Sequence, residues 1–331
     1  MPTHRKTDES KNYQLFKQLT RELTDLSSTM EALAWDQETM MPAKGVPFRA
    51  RQVATLATIH HQKLTDSRLG GLLDELESEA LDFWGRAHLR EARREYDKAV
   101  KLPPALVRDL ASTSTLAYQA WVKARQEVDF ESFAPWLEKM VDLKRRQARI
   151  LAGGSRLYDA LLDEFEPALT SDEADSIFAV LGPRLSRLRE RVETASPLSR
   201  DEVLCGHFPR AGQEAFGRTV LTAMGFDWEA GRLDTSPHPF CCGLSPLDVR
   251  ITTRYSEEDF SASFFGMVHE AGHALYEQGL NSEQFGLPAG TTVSFGIHES
   301  QSRLWENFVA RSYAFWECWL PRLREVFPAQ F

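Results

Sequence analysis

Apolar residues recur at three- and four-residue steps from Tyr13 to Met40, through Leu15, Phe16, Leu19, Leu23, Leu26, Met30 and Leu33. That spacing places them on one face of a helix. The run "MMPAKGVPF" breaks the pattern with Pro42, Gly45 and Pro47. Helical periodicity resumes over 49–65, 71–98, 103–127 and 130–152, and Gly153–Gly154 mark a stop. Ser171, followed by acidic residues, reads as the N-cap of a helix over 171–195. After Gly206 the character changes. The segment 234–255 holds three prolines and the alternating stretch "DVRITTRY". Asp248, Arg250, Thr252 and Arg254 fall on one face of the strand this predicts, and Val249, Ile251, Thr253 and Tyr255 on the other. Ser256 and Asp259 read as a capping box opening a helix to about Gln278, with Gly279 as its C′ residue. A last long helix starts near Ile297 and is punctuated by Pro321 and Pro328. The fold predicted is mainly α, a large helical domain with a small β element beside the helix over 256–278.

Composition narrows the function classes. The chain has 331 residues and 42% hydrophobic side chains, enough for a sizeable core, and a formal net charge of −9 argues against a nucleic-acid surface. No stretch of about 18 apolar residues occurs, so no membrane span is expected. The first residues, "MPTHRKTDESKNYQ", lack an apolar signal region, and Cys205, Cys241, Cys242 and Cys318 form neither a C-x-x-C pair nor a disulfide framework. A cytoplasmic protein is expected.

The chemistry sits in "SFFGMVHEAGHALYEQGL", where His269, Glu270 and His273 form H-E-x-x-H. Residues four apart share a helix face about 6 Å apart along the axis, so both imidazoles can aim at one ion. Glu270 lies about 100° round the helix, placed to reach a water rather than the ion. Two core histidines flanking a surface acid are the structural alternative. Ala271 and Gly272 favour the functional reading, because small residues let another element approach. A catalytic zinc site needs a third protein ligand. Glu277 is too far along the axis, and the chain has Tyr276 and Gly279 where the metzincin extension needs Gly and His. "FGIHESQSRLWENF" offers His298, Glu299 or Glu306, of which Glu299, at the helix start, is best placed. Glu270 and His273 also match the Glu-x-x-His of di-iron bundles, but no other histidine has Glu three residues before it. "HPF" at 238–240 and the strand are placed to line a cleft. A peptide could add along the strand edge, with Arg250 and Arg254 meeting its carboxylate. His238 in this loop reads more readily as structural.

Taken together, "LAWDQETMMPAKG", "REYDKAVKLPPALV", "DFESFAPWLEKMVDLKR", "LYDALLDEFEP" and the series HPF, D-x-R-x-T, H-E-x-x-H and H-E-S-Q, in this order, resemble the carboxypeptidase Taq family of metallocarboxypeptidases. The resemblance runs from about Tyr13 onward. It implies a single domain over 1–331, with N-terminal helices over about 1–150 covering the cleft and a metal-binding core over about 206–331. It implies a cytoplasmic homodimer that releases single residues from peptides with a free C-terminus, using one divalent ion, zinc or cobalt. Carried over by motif, the ligands are His269, His273 and Glu299, the general base is Glu270, and His238, Asp248, Arg250, Thr252 and His298 lie near the site. Family members continue past the position of Phe331 with I-R-x-x-A-D and G-x-x-Q-D-x-H-W. This implies a C-terminally incomplete chain that lacks part of the substrate grip and leaves the apolar face of 308–327 uncovered. A metal-binding chain with little or no peptidase activity is the alternative.

Overall fold

The computed structural model describes residues 9–195 and 206–331. Cys205 and the first eight residues, on which part of the reading above rests, lie outside the described residues. The chain is mainly α and forms two compact units: Met1–Gly153 with Cys242–Asp248 and Glu277–Thr292, and Gly154–Cys241 with Val249–Tyr276 and Val293–Phe331.

The first unit holds α1 (Lys11–Thr39), α2 (Val46–Leu64), α3 (Ser67–Glu77), α4 (Phe83–Ala99), α5 (Pro104–Glu127) and α6 (Phe130–Leu151). Ser10 caps α1 by accepting from the Tyr13 N–H. One helix was expected over 71–98, and two form. Asp82 caps α4 by accepting from the Gly85 N–H at 2.7 Å, which restarts the helix after a break at 78–82. Its core gathers Phe16, Leu69, Leu73, Leu76 and Leu89. Helix α6 ends where Gly153 and Gly154 adopt positive φ (54° and 102°), a conformation that favours glycine.

The second unit contains α7 (Leu157–Leu162), α8 (Ser171–Thr194), α9 (Arg210–Met224), β1 (Gly231–Thr235), α10 (Phe260–Gln278, running past the unit's edge), α11 (Phe295–Arg303) and α12 (Tyr313–Val326). Helix α8 starts at Ser171 itself, one residue after its actual cap Thr170, which forms a capping box with Glu173. Its Phe178, Leu185 and Leu188 are exposed. Strands β2 (Cys241–Ser245) and β3 (Asp248–Thr253) follow β1, and the sheet order is β1-β3-β2. Strand β3 runs parallel to β1, with Leu233 opposite Ile251. It is therefore central, with partners on both sides, and cannot accept a substrate strand as expected from its alternation.

Helix α10 starts four residues after the expected cap. Asp259, not Ser256, accepts from the Ser261 N–H. Its buried Phe260, Phe264 and Met267 enter a core with Phe208, Phe216 and Phe327. The rings of Phe260 and Phe264 stack 5.2 Å apart. The long helix expected from Ile297 is broken into three pieces: α11, a π-helical segment Leu304–Val309, and α12. The uncovered apolar face expected on 308–327 is largely absent. Phe315, Leu323 and Phe327 are buried in this core and Trp316, Trp319 and Leu320 pack against it, leaving Phe308 and Tyr313 exposed.

In the first unit, the loop that follows α10 is held by His88. This imidazole is fully buried. Its Nδ1 accepts from the Ala289 N–H at 3.1 Å, which leaves Nε2–H to donate to Gln284 Oε1 at 2.9 Å. Burial pushes His88 below the ordinary histidine range, with the Gln284 contact and Asp82 opposing and Lys17 adding to the fall. The unfolded chain, titrating near ~6.5, thus binds the proton more readily than the folded one. The stabilisation is present above that pH and is lost as pH falls towards the folded value. Urea unfolding with a chelator present should show the gap between wild type and His88→Gln narrowing from pH 7.5 to 5.5. A gap that stays constant would exclude His88 as the sensitive group.

Candidate metal centre

Two elements of the second unit build the site. Helix α10 supplies His269 and His273, one turn apart, with ring centroids 4.9 Å apart. Helix α11 supplies Glu299 in its first turns. Ser294 caps α11 by accepting from the Ile297 N–H at 3.1 Å. Glu166 accepts from the Gly296 N–H at 3.0 Å, and Phe165 packs edge-on against Phe295, so the start of α11 is clamped from outside.

The two helices approach closely at Gly272. A Cβ there would lie 2.6 Å from Ser302 Cα and 2.8 Å from the Gln301 carbonyl oxygen. Only glycine fits without moving backbone. Of the two small residues inside the motif, Gly272 therefore does what its size suggested.

This approach brings Glu299 Oε2 to 3.6 Å from His269 Nε2 and 3.4 Å from His273 Nε2. Both separations are long for a hydrogen bond. They match instead the edge of a tetrahedron, about 3.3–3.6 Å, around an ion with ligands at 2.0–2.2 Å. Among the described residues these three alone form a group able to hold a metal ion, their ligand atoms all within 4.8 Å of one another. The donor set of two imidazole nitrogens and one carboxylate oxygen suits zinc-type chemistry.

Each donor is itself held. The Arg303 Nε–H donates to Glu299 Oε1 at 2.8 Å, leaving Oε2 to face the imidazoles. Burial acts to raise Glu299, but Arg303, His269 and Ser302 outweigh it and hold the carboxyl below the ordinary range. Burial pushes His273 down to about 4, with His298 and His269 adding to the shift. At neutral pH it is the uncharged form that a metal requires. Burial pushes Glu270 up to about 8, reinforced by the charges of Glu299 and Glu306.

The remaining expected residues fall into two groups. His298 meets the ligand set directly, its Nδ1 lying 2.5 Å from His273 Nδ1. His238, Asp248, Arg250 and Thr252 belong to the β element. Thr252 is buried, shares a 2.7 Å hydrogen bond with Ser236, and accepts from the Phe240 N–H at 2.9 Å, which pins the HPF loop to β3. His238 is exposed, with Nδ1 donating to the Pro239 carbonyl at 2.8 Å. Glu306, an alternative third ligand by spacing, meets the far side of His269 instead: its Oε2 lies 2.9 Å from Nδ1. Sequence reasoning missed this arrangement, along with Arg303 and Arg311. A single acid inside the apolar run "LWENFV" was the available signal, since a buried carboxylate needs partners.

A mainly helical protein whose H-E-x-x-H helix and a following glutamate bring two imidazoles and a carboxylate together thus falls in the class of helical proteins with a candidate metal centre of the H-E-x-x-H type. Residues 15–331 match the family described as carboxypeptidase Taq (M32) metallopeptidase, and the chain belongs to that family. It is 43% identical over 328 residues to thermostable carboxypeptidase 1 of Thermus thermophilus, covering 95% of this chain and 64% of that protein. It is 33% identical to carboxypeptidase 1 of Bacillus subtilis, covering 96% and 64%. Among solved structures, BsuCP superposes with a TM-score of 0.94 at 32% identity, and the M32 carboxypeptidase of Deinococcus radiodurans with 0.87 at 37%. Each match covers 97% of this chain and 65% of the other. The chain therefore spans just under two thirds of the length of these relatives.

Gly272 tests the geometry. Alanine favours a helix interior by up to about 1 kcal/mol over glycine. Here the added carbon meets backbone rather than a yielding side chain, so a cost of about 1–3 kcal/mol from overpacking should win. Gly272→Ala should lower the urea midpoint of the metal-free protein and weaken metal retention together. A more stable variant with unchanged metal binding would contradict the close packing described here.

Proposed function

We propose that this chain carries the metal centre of a carboxypeptidase that releases residues one at a time from peptide C-termini. The observation that supports it most directly is the 3.4–3.6 Å separation of the Glu299 carboxylate from two imidazole nitrogens. Membership of a metallopeptidase family points to the peptide bond as its substrate. His269, His273 and Glu299 hold one divalent ion, zinc or cobalt. When bound, the ion supplies a Lewis acid for the scissile carbonyl and for water. Glu270 takes the proton from the attacking water and returns it to the leaving amine. The raised Glu270 pKa would be drawn back down by a bound dication, towards the ionised form that a base needs. The HPF loop and the Arg250 side of β3 are the candidates for gripping the substrate terminus, because an arginine can bind a carboxylate through two parallel hydrogen bonds. Cys241, Cys242 and Cys318 are in no disulfide, which suits a reducing, cytoplasmic setting, and no described helix is long and apolar enough to cross a membrane. A homodimer completes this reading.

Two measurements test it. Elemental analysis of the purified protein should find about one divalent ion per chain, and His269→Ala, His273→Ala or Glu299→Ala should each remove it. Full metal content in Glu299→Ala would refute the coordination. Mass spectrometry of a peptide digest should then show a ladder shortened from the C-terminus. Glu270→Gln should keep its metal yet lose activity by about 10²–10⁴-fold. Internal cuts would indicate an endopeptidase. Metal binding with no cleavage would leave the centre standing and remove the carboxypeptidase reading.

A further inference from the structure

An imidazole ligates a metal through one ring nitrogen, and the chain controls that nitrogen by what it does at the other. His269 and His273 both turn Nε2 towards Glu299. Their Nδ1 atoms meet different partners. His273 meets another imidazole, His298. His269 meets a carboxylate, Glu306.

We infer that Glu306 is a positioning residue for the metal centre, fixing the tautomer and orientation of His269 so that its Nε2 lone pair faces the ion. This rests on the metal-centre reading above. An ionised carboxylate can only accept hydrogen bonds, so the 2.9 Å contact requires the proton on His269 Nδ1. Nε2 is then bare. The carboxylate is buried and fixed at both oxygens: Arg311 Nη2 donates to Oε1 at 2.9 Å, and Arg303 Nη1 donates to Oε2 at 3.1 Å. The Arg311 guanidinium in turn lies 3.8 Å from the ring centre of Phe265 on α10, the helix that carries His269.

The backbone is shaped to put Glu306 there. Glu299 and Glu306 lie about 10 Å apart along a regular helix axis. They address the two ends of the same imidazole. Residues Leu304–Val309 form a π-helical turn, closed by the Ala310 N–H donating to the Trp305 carbonyl at 2.8 Å, and Glu306 sits inside it. Such turns are uncommon and recur at functional sites.

A plain structural role is the competitor: Glu306 could merely neutralise two arginines. Glu306→Gln keeps the volume and an acceptor oxygen but loses the charge. Arg311→Gln breaks an ion pair of Glu306 without removing its contact with His269. Positioning predicts that Glu306→Gln weakens zinc affinity about 10–100-fold in a chelator competition, while Arg311→Gln stays within about threefold and both metal-free variants keep similar melting temperatures. Long-range imidazole nitrogen spectra of the metal-free wild type should show His269 protonated at Nδ1. Zinc affinity equal to wild type in Glu306→Gln, equal losses in both variants, or His269 protonated at Nε2 would overturn the inference. Should Glu306→Gln fail to fold, the wild-type tautomer decides alone. A wild type that binds no zinc would instead refute the metal-centre reading, and the tautomer would still report on Glu306.

Discussion

The contact between Gly272 and Ser302 is the constraint on which the site depends. Packed helices ordinarily keep their axes about 8–10 Å apart, set by the side chains between them. Here the chain removes that side chain on the metal-motif helix, and α11 settles against bare backbone. Glu299 stands on this neighbouring helix. It meets two imidazoles at 3.4–3.6 Å because nothing at position 272 holds the helices apart.

The electrostatics follow from the same closeness. Glu270 is displaced upward and His273 downward, and in each case burial is the first cause. Both displacements favour the neutral form of the group. Neighbouring charge reinforces them, carboxylate on carboxylate and imidazole on imidazole. The rise of Glu270 reflects a concentration of carboxylates that a small dication would offset, and the fall of His273 keeps neutral a nitrogen that such an ion needs. Arg303 and Arg311 offset part of the negative charge, but through Glu299 Oε1 and the back of Glu306, on the sides turned away from the Nε2 atoms.

Much of this was legible in the sequence, and the gaps have physical reasons. H-E-x-x-H fixed the relation of His269 to His273 because helical geometry is local. The choice of Glu299 over Glu306 and His298 was open on spacing, since it depends on how two helices approach. Breaks were harder to see than helices. Asp82 restarted α4 within a run that kept its apolar period, and Asp259 displaced Ser256 as the cap of α10, because side chains compete for the same free N–H groups. The central position of β3 was hidden because alternation reports faces, not edges. The terminal helix read as uncovered because no local pattern reveals that Phe315, Leu323 and Phe327 meet Phe208 and Phe260 from distant segments.

The π-helical turn gives the site a dependence on chain length as well as on composition. The turn begins between Glu299 and Glu306 and contains Glu306, the side chain that braces the other side of the His269 imidazole. Deleting Leu304 or Trp305 would bring Glu306 one position nearer Glu299 and turn it by about 100° round the helix. Glu299 would keep its place while Glu306 swung away from His269. Every metal ligand would remain in such a sequence, and a motif search would score it intact. Register between Glu299 and Glu306 is thus part of the information that specifies the centre, and it is stored in the number of residues between them.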